Sequence, residues 1–200
     1  MYIKEAFQVE SLEKAKHVVL SSNEDDNEKF QRETDYSVSV IKEKVDLSEE
    51  SLVLDFGCGM GRIAKELIEQ FNCTVFGVDI SKSMLHFAKQ YVNNTRFFPL
   101  STYTLKNTID VCISIFCLQH VESPAKEIDN LVDVLKPNGY FILLNEHKRF
   151  VPTNVDKERY VIWENDGFDV IEYVKTKLTL IEIFPYFNKV NHHFGLYKKI

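Results

Sequence analysis

The sequence predicts an α/β fold: a mostly parallel sheet, doubly wound, with helices on both faces. Three observations carry this. From Leu52 to Leu144, short apolar runs alternate with segments of helical period, the pattern of βαβ units. The runs at 109–116 (IDVCISIF) and 140–144 are almost continuously apolar, as strands buried on both faces must be. Three of the chain's seven glycines, Gly57, Gly59 and Gly61, fall within five residues between a predicted strand and a predicted helix.

Residues 1–20 read as a short helix with an apolar tail, His17 to Leu20. Ser21 to Glu28 (SSNEDDNE) reads as a polar acidic link. Phe30 to Val45 is predicted helical, because Phe30, Tyr36, Val40, Ile41 and Val45 share one broad face. Ser48 to Ser51 is a polar turn. Leu52–Phe56 is then a strand, Gly61–Phe71 a helix, and Thr74–Asp79 a strand. Ser81 caps a helix that runs to about Val92, and Arg96–Leu100 is a short strand. Ile109–Phe116 is a strand. Ser123-Pro124 opens a helix that ends near Leu135, with Gly139 as its left-handed stop. Tyr140–Leu144 is a strand. Beyond it we expect a helix over Asp156–Glu164 and a turn at Asn165-Asp-Gly167. Strands at Phe168–Tyr173 and Phe194–Lys198 are expected to pair antiparallel.

Two hundred residues suit one domain with a substantial core. Hydrophobic content of 44% and charged content of 27% are those of an ordinary globular chain. The net charge of −6, from 24 basic and 30 acidic residues, argues against a nucleic-acid backbone as the main partner. The N-terminus lacks the apolar core of a secretory signal, and no run approaches the roughly 18 apolar residues of a membrane span. Cys58, Cys73, Cys112 and Cys117 form no CxxC pair. They read as reduced, buried thiols of a cytoplasmic protein, and no metal is expected.

The glycine turn is the centre of the functional reading. Glycines between strand and helix let a ligand approach the backbone and aim helix N–H groups at it. A phosphate loop would need Gly-Lys-Ser/Thr, whereas this chain has Gly61-Arg62-Ile63. A dinucleotide turn would need G-x-G-x-x-G. Here the spacing is G-x-G-x-G, and Arg62 stands at the third dinucleotide position. Asp79, at the end of the second strand, is placed to accept hydrogen bonds from ribose hydroxyls. It also suits a helix cap before Ser81.

Asp55-Phe-Gly-Cys-Gly-Met-Gly61 followed by Val78-Asp79-Ile-Ser81 resembles the first two motifs of the class I S-adenosylmethionine-dependent methyltransferases. Ile109-Asp-Val111 through Phe116-Cys-Leu-Gln-His-Val121 resembles that family's fourth strand and post-strand motif. Leu135-Lys-Pro-Asn-Gly139 with Tyr140 to Leu143 resembles the entry to its fifth strand. The resemblance spans residues 50–145. It implies a Rossmann-like, seven-stranded sheet with an antiparallel last strand, and S-adenosyl-L-methionine as cofactor. It further implies one methyltransferase domain over 1–200: an N-terminal helical cap (1–47), a cofactor-binding core (48–145) and a substrate-side region (146–200).

By the same resemblance, Asp55, Gly57 and Gly59 would line the methionine part of the cofactor, with Phe56, Cys58 and Arg62 in the same turn. Asp79 would hold the ribose. Ile80 would lie against the adenine, and Met84 would add a further adenine contact. Phe116 and Gln119 would sit near the cofactor. The family often has an acidic residue after the third strand; Leu100 and Ser101 stand there instead.

Methyl transfer needs positioning and desolvation above all. A base is required only where the acceptor must lose a proton. His120, Glu146 and His147 follow strand ends, where open α/β sheets bind ligands. His120 reads either as a base or as a packing residue; Glu146 and His147 read either as substrate contacts or as solvated loop residues. Lys148, Arg149 and Arg159 read either as an anion-recognising group or as a charged face. The expected activity is methyl transfer to an O or N atom of a small molecule by in-line attack on the sulfonium methyl, in a monomer or homodimer. The alternatives are a nicotinamide-dependent oxidoreductase and a non-catalytic S-adenosylmethionine-binding protein on the same fold.

Overall fold

The computed structural model describes residues 1–20, 27–104, 106–187 and 189–200. Seven strands form one mostly parallel sheet, and two more form a separate hairpin. The chain divides into two compact units, Phe7–Tyr103 and Met1–Ala6 with Thr104–Ile200.

In the first unit, α1 (Leu12–Leu20) and α2 (Asn27–Lys44) precede the strands. The predicted apolar tail at His17–Leu20 is the last part of α1. Most of the acidic link, residues 21–26, lies outside the described residues. The strand β1 (Leu52–Phe56) leads through the glycine turn to α3 (Arg62–Phe71). Then come β2 (Thr74–Val78), α4 (Lys82–Val92) and β3 (Phe97–Leu100). The order is β3-β2-β1, all parallel, with Leu52 opposite Thr74 and Val75 opposite Phe97. Ile63, Ala64, Leu67 and Ile68 form the buried stripe of α3. Asn72 and Asn93 end α3 and α4 in left-handed geometry, each N–H donating four residues back. Ser81 caps α4, its Oγ accepting from the Met84 N–H at 3.2 Å.

In the second unit the order is β4-β5-β9-β8. The strand β4 (Ile109–Ile115) runs parallel to β5 (Leu135–Glu146). Between them lie a 3₁₀ turn, Leu118–His120, and α5 (Pro124–Val134). Register jumps where Ile109 faces Leu135 and Val111 faces Tyr140, so Lys136 to Gly139 form a protrusion. Asn138, not Gly139, takes the left-handed conformation there, at φ 66°. Gly139 is required for space, because a Cβ would lie 2.9 Å from the Lys136 carbonyl oxygen.

The region after β5 corrects two expectations. Residues 156–164 are not a helix: β6 (Val151–Val155) and β7 (Val161–Glu164) form an antiparallel hairpin. The Asp156 Oδ1 accepts from the N–H groups of Glu158 (3.0 Å) and Tyr160 (2.8 Å). That local bonding closes a turn with Arg159 at φ 65° and competes with helix formation. Nor is Phe168–Tyr173 a strand. Asp169 caps α6 (Val170–Lys177), its carboxylate accepting from the Glu172 N–H at 2.9 Å. The antiparallel partners of β9 (His192–Lys198) are β5 and β8 (Thr179–Phe184). His192 and His193 lie inside β9 rather than before it.

Cys58, Cys73 and Cys112 are buried thiols, and Cys117 is half-buried. Burial pushes the Cys73 thiol up to about 11 and the Cys112 thiol upward as well. Among the described residues, no helix is long and apolar enough to cross a membrane.

Candidate active site

The first unit concentrates the predicted cofactor residues at one end of β1 and β2. The N–H groups of Gly57 and Cys58 both donate to the Val78 carbonyl, at 2.7 and 3.0 Å. This bends the chain sharply as it leaves β1. Gly57, Gly59 and Gly61 take φ values of 76°, 53° and 83°, a region open to glycine and strained for other residues. A Cβ on Gly61 would also stand 2.7 Å from the Val92 Cγ2 on α4. The spacing therefore reflects backbone conformation and close helix packing together.

Asp79 is fastened to this turn. Its Oδ2 accepts from the Gly59 N–H at 2.9 Å, and its Oδ1 accepts from the Ser81 N–H at 2.8 Å. Burial raises its carboxyl above the ordinary value, and the two backbone donors oppose that shift. Asp79 thus closes the α4 entry and keeps spare lone pairs for ligand hydroxyls. The two sequence readings, cap and ribose acceptor, are compatible.

Asp55 is 3% exposed at the end of β1, and its Oδ2 accepts no hydrogen bond from the protein. Burial pushes the carboxyl up to about 7; the charge of Asp79 adds to the rise and Arg62 opposes it. A buried, partnerless carboxylate oxygen is costly unless a ligand donor or cation meets it. A ligand with an ammonium for the Asp55 Oδ2 and ribose hydroxyls for Asp79 fits this pair of acids. Arg62 is also buried. Its Nη1 lies 4.0 Å from Glu33 of α2, and its guanidinium sits 5.5 Å from the Phe30 ring centroid.

Phe56 is buried, with its ring edge on Tyr103 at 6.2 Å. Cys58 is buried beside Gly59, and Ile80 is half exposed. The Asp79 N–H donates to the Leu100 carbonyl at 3.4 Å, which sets the end of β3 beside the ribose acid. Ser101 is exposed. Met84 is buried one turn into α4. It lies in an apolar cluster with Val9, Ala15, Leu20, Phe30 and Met60. That cluster carries α1 onto the turn, where a Cβ on Gly59 would meet Val19 at 3.2 Å. The 3.6-residue period of α1 is the signal for its buried face; nothing local marks what it covers.

In the second unit, Phe116 leaves β4 at φ 52°, with its N–H donating to the Leu144 carbonyl at 2.7 Å. Gln119 is buried and bridges to the end of β5. Its N–H donates to the Asn145 Oδ1 (3.0 Å), and its Oε1 accepts from the Glu146 N–H (2.7 Å). Its amide Nε2 lies 3.2 Å from the His120 Nε2. The His120 Nδ1 is 2.7 Å from the Phe150 carbonyl oxygen, so Nδ1 donates there and Nε2 accepts from Gln119. Both ring nitrogens are occupied by one neutral tautomer. Burial lowers the imidazole's proton affinity, with the Phe150 bond opposing. Glu146 is half-buried and His147 exposed; the His147 ring lies 6.3 Å from that of His193.

Arg149 is not part of a solvated cationic face. It is 1% exposed and is used internally by Asp166 and two carbonyls. Lys148 and Arg159 are exposed. Asn145 escaped the sequence reading, although it organises the Gln119 turn; a polar residue inside an apolar strand run was the available signal.

The fold and this turn define a Rossmann-like methyltransferase-type domain. Residues 54–143 match the family model described as "Methyltransferase domain". Over 148 residues the chain is 31% identical to the ubiquinone biosynthesis O-methyltransferase of Rickettsia typhi, covering 68% of this chain and 55% of that protein. The chain spans about half, or less, of the length of the curated relatives it matches. Two solved structures share the fold. The PH0226 protein of Pyrococcus horikoshii aligns with a TM-score of 0.68 at 20% identity, over 88% of this chain and 93% of that one. The 1,6-didemethyltoxoflavin-N1-methyltransferase of Burkholderia thailandensis, bound to its namesake substrate and S-adenosylhomocysteine, aligns with a TM-score of 0.61 at 16% identity, over 84% and 78%. The matched stretch, residues 54–143, thus carries a methyltransferase domain, and the sheet has the Rossmann-like order of that fold.

Proposed function

We propose that the protein transfers a methyl group from S-adenosyl-L-methionine to an O or N atom of a small molecule. One observation carries the reading. The left-handed glycine turn holds Asp79 by a backbone amide, beside a buried Asp55 oxygen that no protein donor satisfies. When bound, the cofactor supplies a methyl group on a sulfonium open to in-line attack. The chain's own residues position and desolvate. Asp55 with Gly57 and Gly59 receives the amino-acid part, with Phe56, Cys58 and Arg62 shaping that turn. Asp79 accepts from the ribose, and Ile80 and the Leu100–Ser101 backbone flank the base.

Phe116, Gln119, Glu146, His147 and His120 are the candidates for acceptor and proton handling. His120 can serve as a base only after Gln119 releases its Nε2, so positioning is its first role. The relatives include both O- and N-methyltransferases, which supports the small-molecule class without fixing the atom. We further propose a single cytoplasmic domain that acts as a monomer or homodimer. A nicotinamide oxidoreductase is not favoured, because Arg62 fills the third glycine position of a dinucleotide turn.

Titration calorimetry with S-adenosylhomocysteine tests the reading. Binding by the wild type, weakened at least tenfold in Asp79→Ala, is expected. Absence of binding by a folded wild-type protein overturns it.

A further inference from the structure

Gln8 stands before α1, 73 residues from Ser81 in the chain, yet its side chain meets the head of α4. The Gln8 Oε1 accepts from the Ser83 Oγ at 2.9 Å, from the Ser83 N–H at 3.4 Å and from the Ser81 Oγ at 3.3 Å. The Ser83 Oγ in turn accepts from the Val9 N–H at 2.8 Å. Ser83 therefore holds this segment by a side chain and by the main chain at once. Ser11 then opens α1, its Oγ accepting from the Lys14 N–H at 3.1 Å. Val9, with Ala15 and Leu20 of α1, is buried in the apolar cluster that includes Phe30, Met60 and Met84. Residues 8–20 are thus fixed at their start by hydrogen bonds and along their length by burial.

Two contacts of this segment fall on the residues that hold Asp79. Ser81, reached by Gln8, gives its N–H to the Asp79 Oδ1 at 2.8 Å. Gly59 gives its N–H to the Asp79 Oδ2 at 2.9 Å. Val19 of α1 lies over Gly59, where a Cβ would stand 3.2 Å from the Val19 Cγ2. The carboxylate is clamped between two backbone donors, and each donor is backed by the same stretch of chain. A group that must meet a ligand atom within a fraction of an ångström needs such support from its neighbours.

We infer that Gln8 is a positioning residue of the cofactor site, holding Asp79 in its ribose-accepting orientation through Ser81, and that Gln8–Leu20 is part of that site rather than a separate cap. The inference rests on the reading of Asp79 as the ribose acid and adds the element that aims it. Gln8 acts here as an acceptor: two hydroxyls and one amide turn their protons to its Oε1. Without it, the Ser81 side chain keeps its own bond from the Met84 N–H, but the Ser83 N–H loses its acceptor and Ser81 loses its tie to the segment. The Asp79 carboxylate is then freer to turn. The apolar face of α1 stays docked, so the loss is one of aim.

Calorimetry with S-adenosylhomocysteine tests this in a double-mutant cycle, with ligand-observed NMR where affinity falls below the calorimetric range. Gln8→Met, which keeps the side-chain length and removes the acceptor, is expected to weaken binding about three- to tenfold, the scale of one hydrogen bond. Ser83→Ala removes the same contacts from the other side and is expected to match it. In an Asp79→Asn background, Gln8→Met is expected to cost less than twofold, because its effect passes through the carboxylate. Thermal melting in parallel shows that each variant is folded. An equal loss in both backgrounds overturns the inference, since a general loosening of the fold does not depend on Asp79. Unchanged binding in both Gln8→Met and Ser83→Ala overturns it while leaving the methyltransferase reading standing. Failure of the folded wild type to bind S-adenosylhomocysteine defeats that reading, and this inference with it.

Discussion

Arg149 grips Asp166 at two points, Nε to Oδ1 at 2.8 Å and Nη2 to Oδ2 at 2.7 Å. The same guanidinium donates to the carbonyls of Leu118 (3.0 Å) and Val121 (2.7 Å). One buried side chain therefore ties the segment after β5 and the loop after β7 to the turn that carries His120. The Arg149 contacts hold the Asp166 carboxyl below the usual carboxylate range.

Arg149→Ala should cost about 2–4 kcal/mol, read by urea unfolding. The upper range for a broken buried pair is reduced because Asp166 is partly exposed. Arg149→Lys should recover less than half, since an ammonium cannot reproduce the fork.

Asp55 predicts a stability that falls as pH rises. Its folded carboxyl titrates at about 7, against 3.8 when unperturbed. The folded state therefore binds the extra proton between those values, and its contribution is lost as pH climbs through 7. Asp55→Asn should remove that slope and be more stable than wild type at pH 8, by about 2–4 kcal/mol. The same variant should bind S-adenosylhomocysteine at least tenfold more weakly. Denaturant midpoints across pH 5–8, with calorimetry, check both.

His193 tilts stability the opposite way. It is buried, its Nε2 lies 2.6 Å from the Tyr197 hydroxyl, and its proton affinity drops to about 4 from 6.5, mainly through burial. With a depressed folded value, its contribution is present above 6.5 and lost as pH falls toward 4. His193→Gln should flatten the acid side of the profile by up to about 3 kcal/mol. In the wild type the Asp55 and His193 slopes partly cancel between pH 4 and 6.5, so the single variants should bend in opposite directions.

Two glycines separate strain from crowding. Gly61 and Gly167 share a left-handed conformation, at φ 83° and 75°. A Cβ on Gly61 would strike Val92 at 2.7 Å, whereas one on Gly167 would meet nothing within 4 Å. Gly167→Ala should cost about 1 kcal/mol and Gly61→Ala about 3 or more. Thermal midpoints of the two variants provide the comparison.

The legible parts of the sequence were those whose local chemistry and tertiary role agree. The glycine turn, the Ser81 cap and the apolar run of β4 each announce one structure at both levels. Residues 156–173 do not. The charged stretch after Val155 has helical composition, but Asp156 bonds its own backbone and folds the chain into a hairpin. Phe168 to Tyr173 has strand composition, but Asp169 and Glu172 stand three apart as a helix-opening pair. Spacing should have outweighed propensity there. Thr179–Phe184 (TLIEIF) does not alternate, and the register shift between Leu180 and Glu182 explains why no period of two marks it as a strand. In the site, Asp79 draws attention by its place at the end of the second strand, and Asp55 enters only through the family resemblance. The double engagement of His120 was not readable, because it depends on Phe150, thirty residues away, which no local pattern connects to it. Arg149 was open to misreading for the same reason: a cation between Lys148 and Phe150 reads as surface until its partner at 166 is known.

Phe116 has an evolutionary consequence. A glycine there would relieve the backbone at φ 52°, and asparagine would relieve part of it. Selection for heat resistance alone would therefore tend to discard the ring. Its retention under that pressure would mark a stability–activity trade-off. A library randomised at position 116, sorted once for thermal survival and once for ligand binding, should diverge: small residues in the first population, aromatic ones in the second.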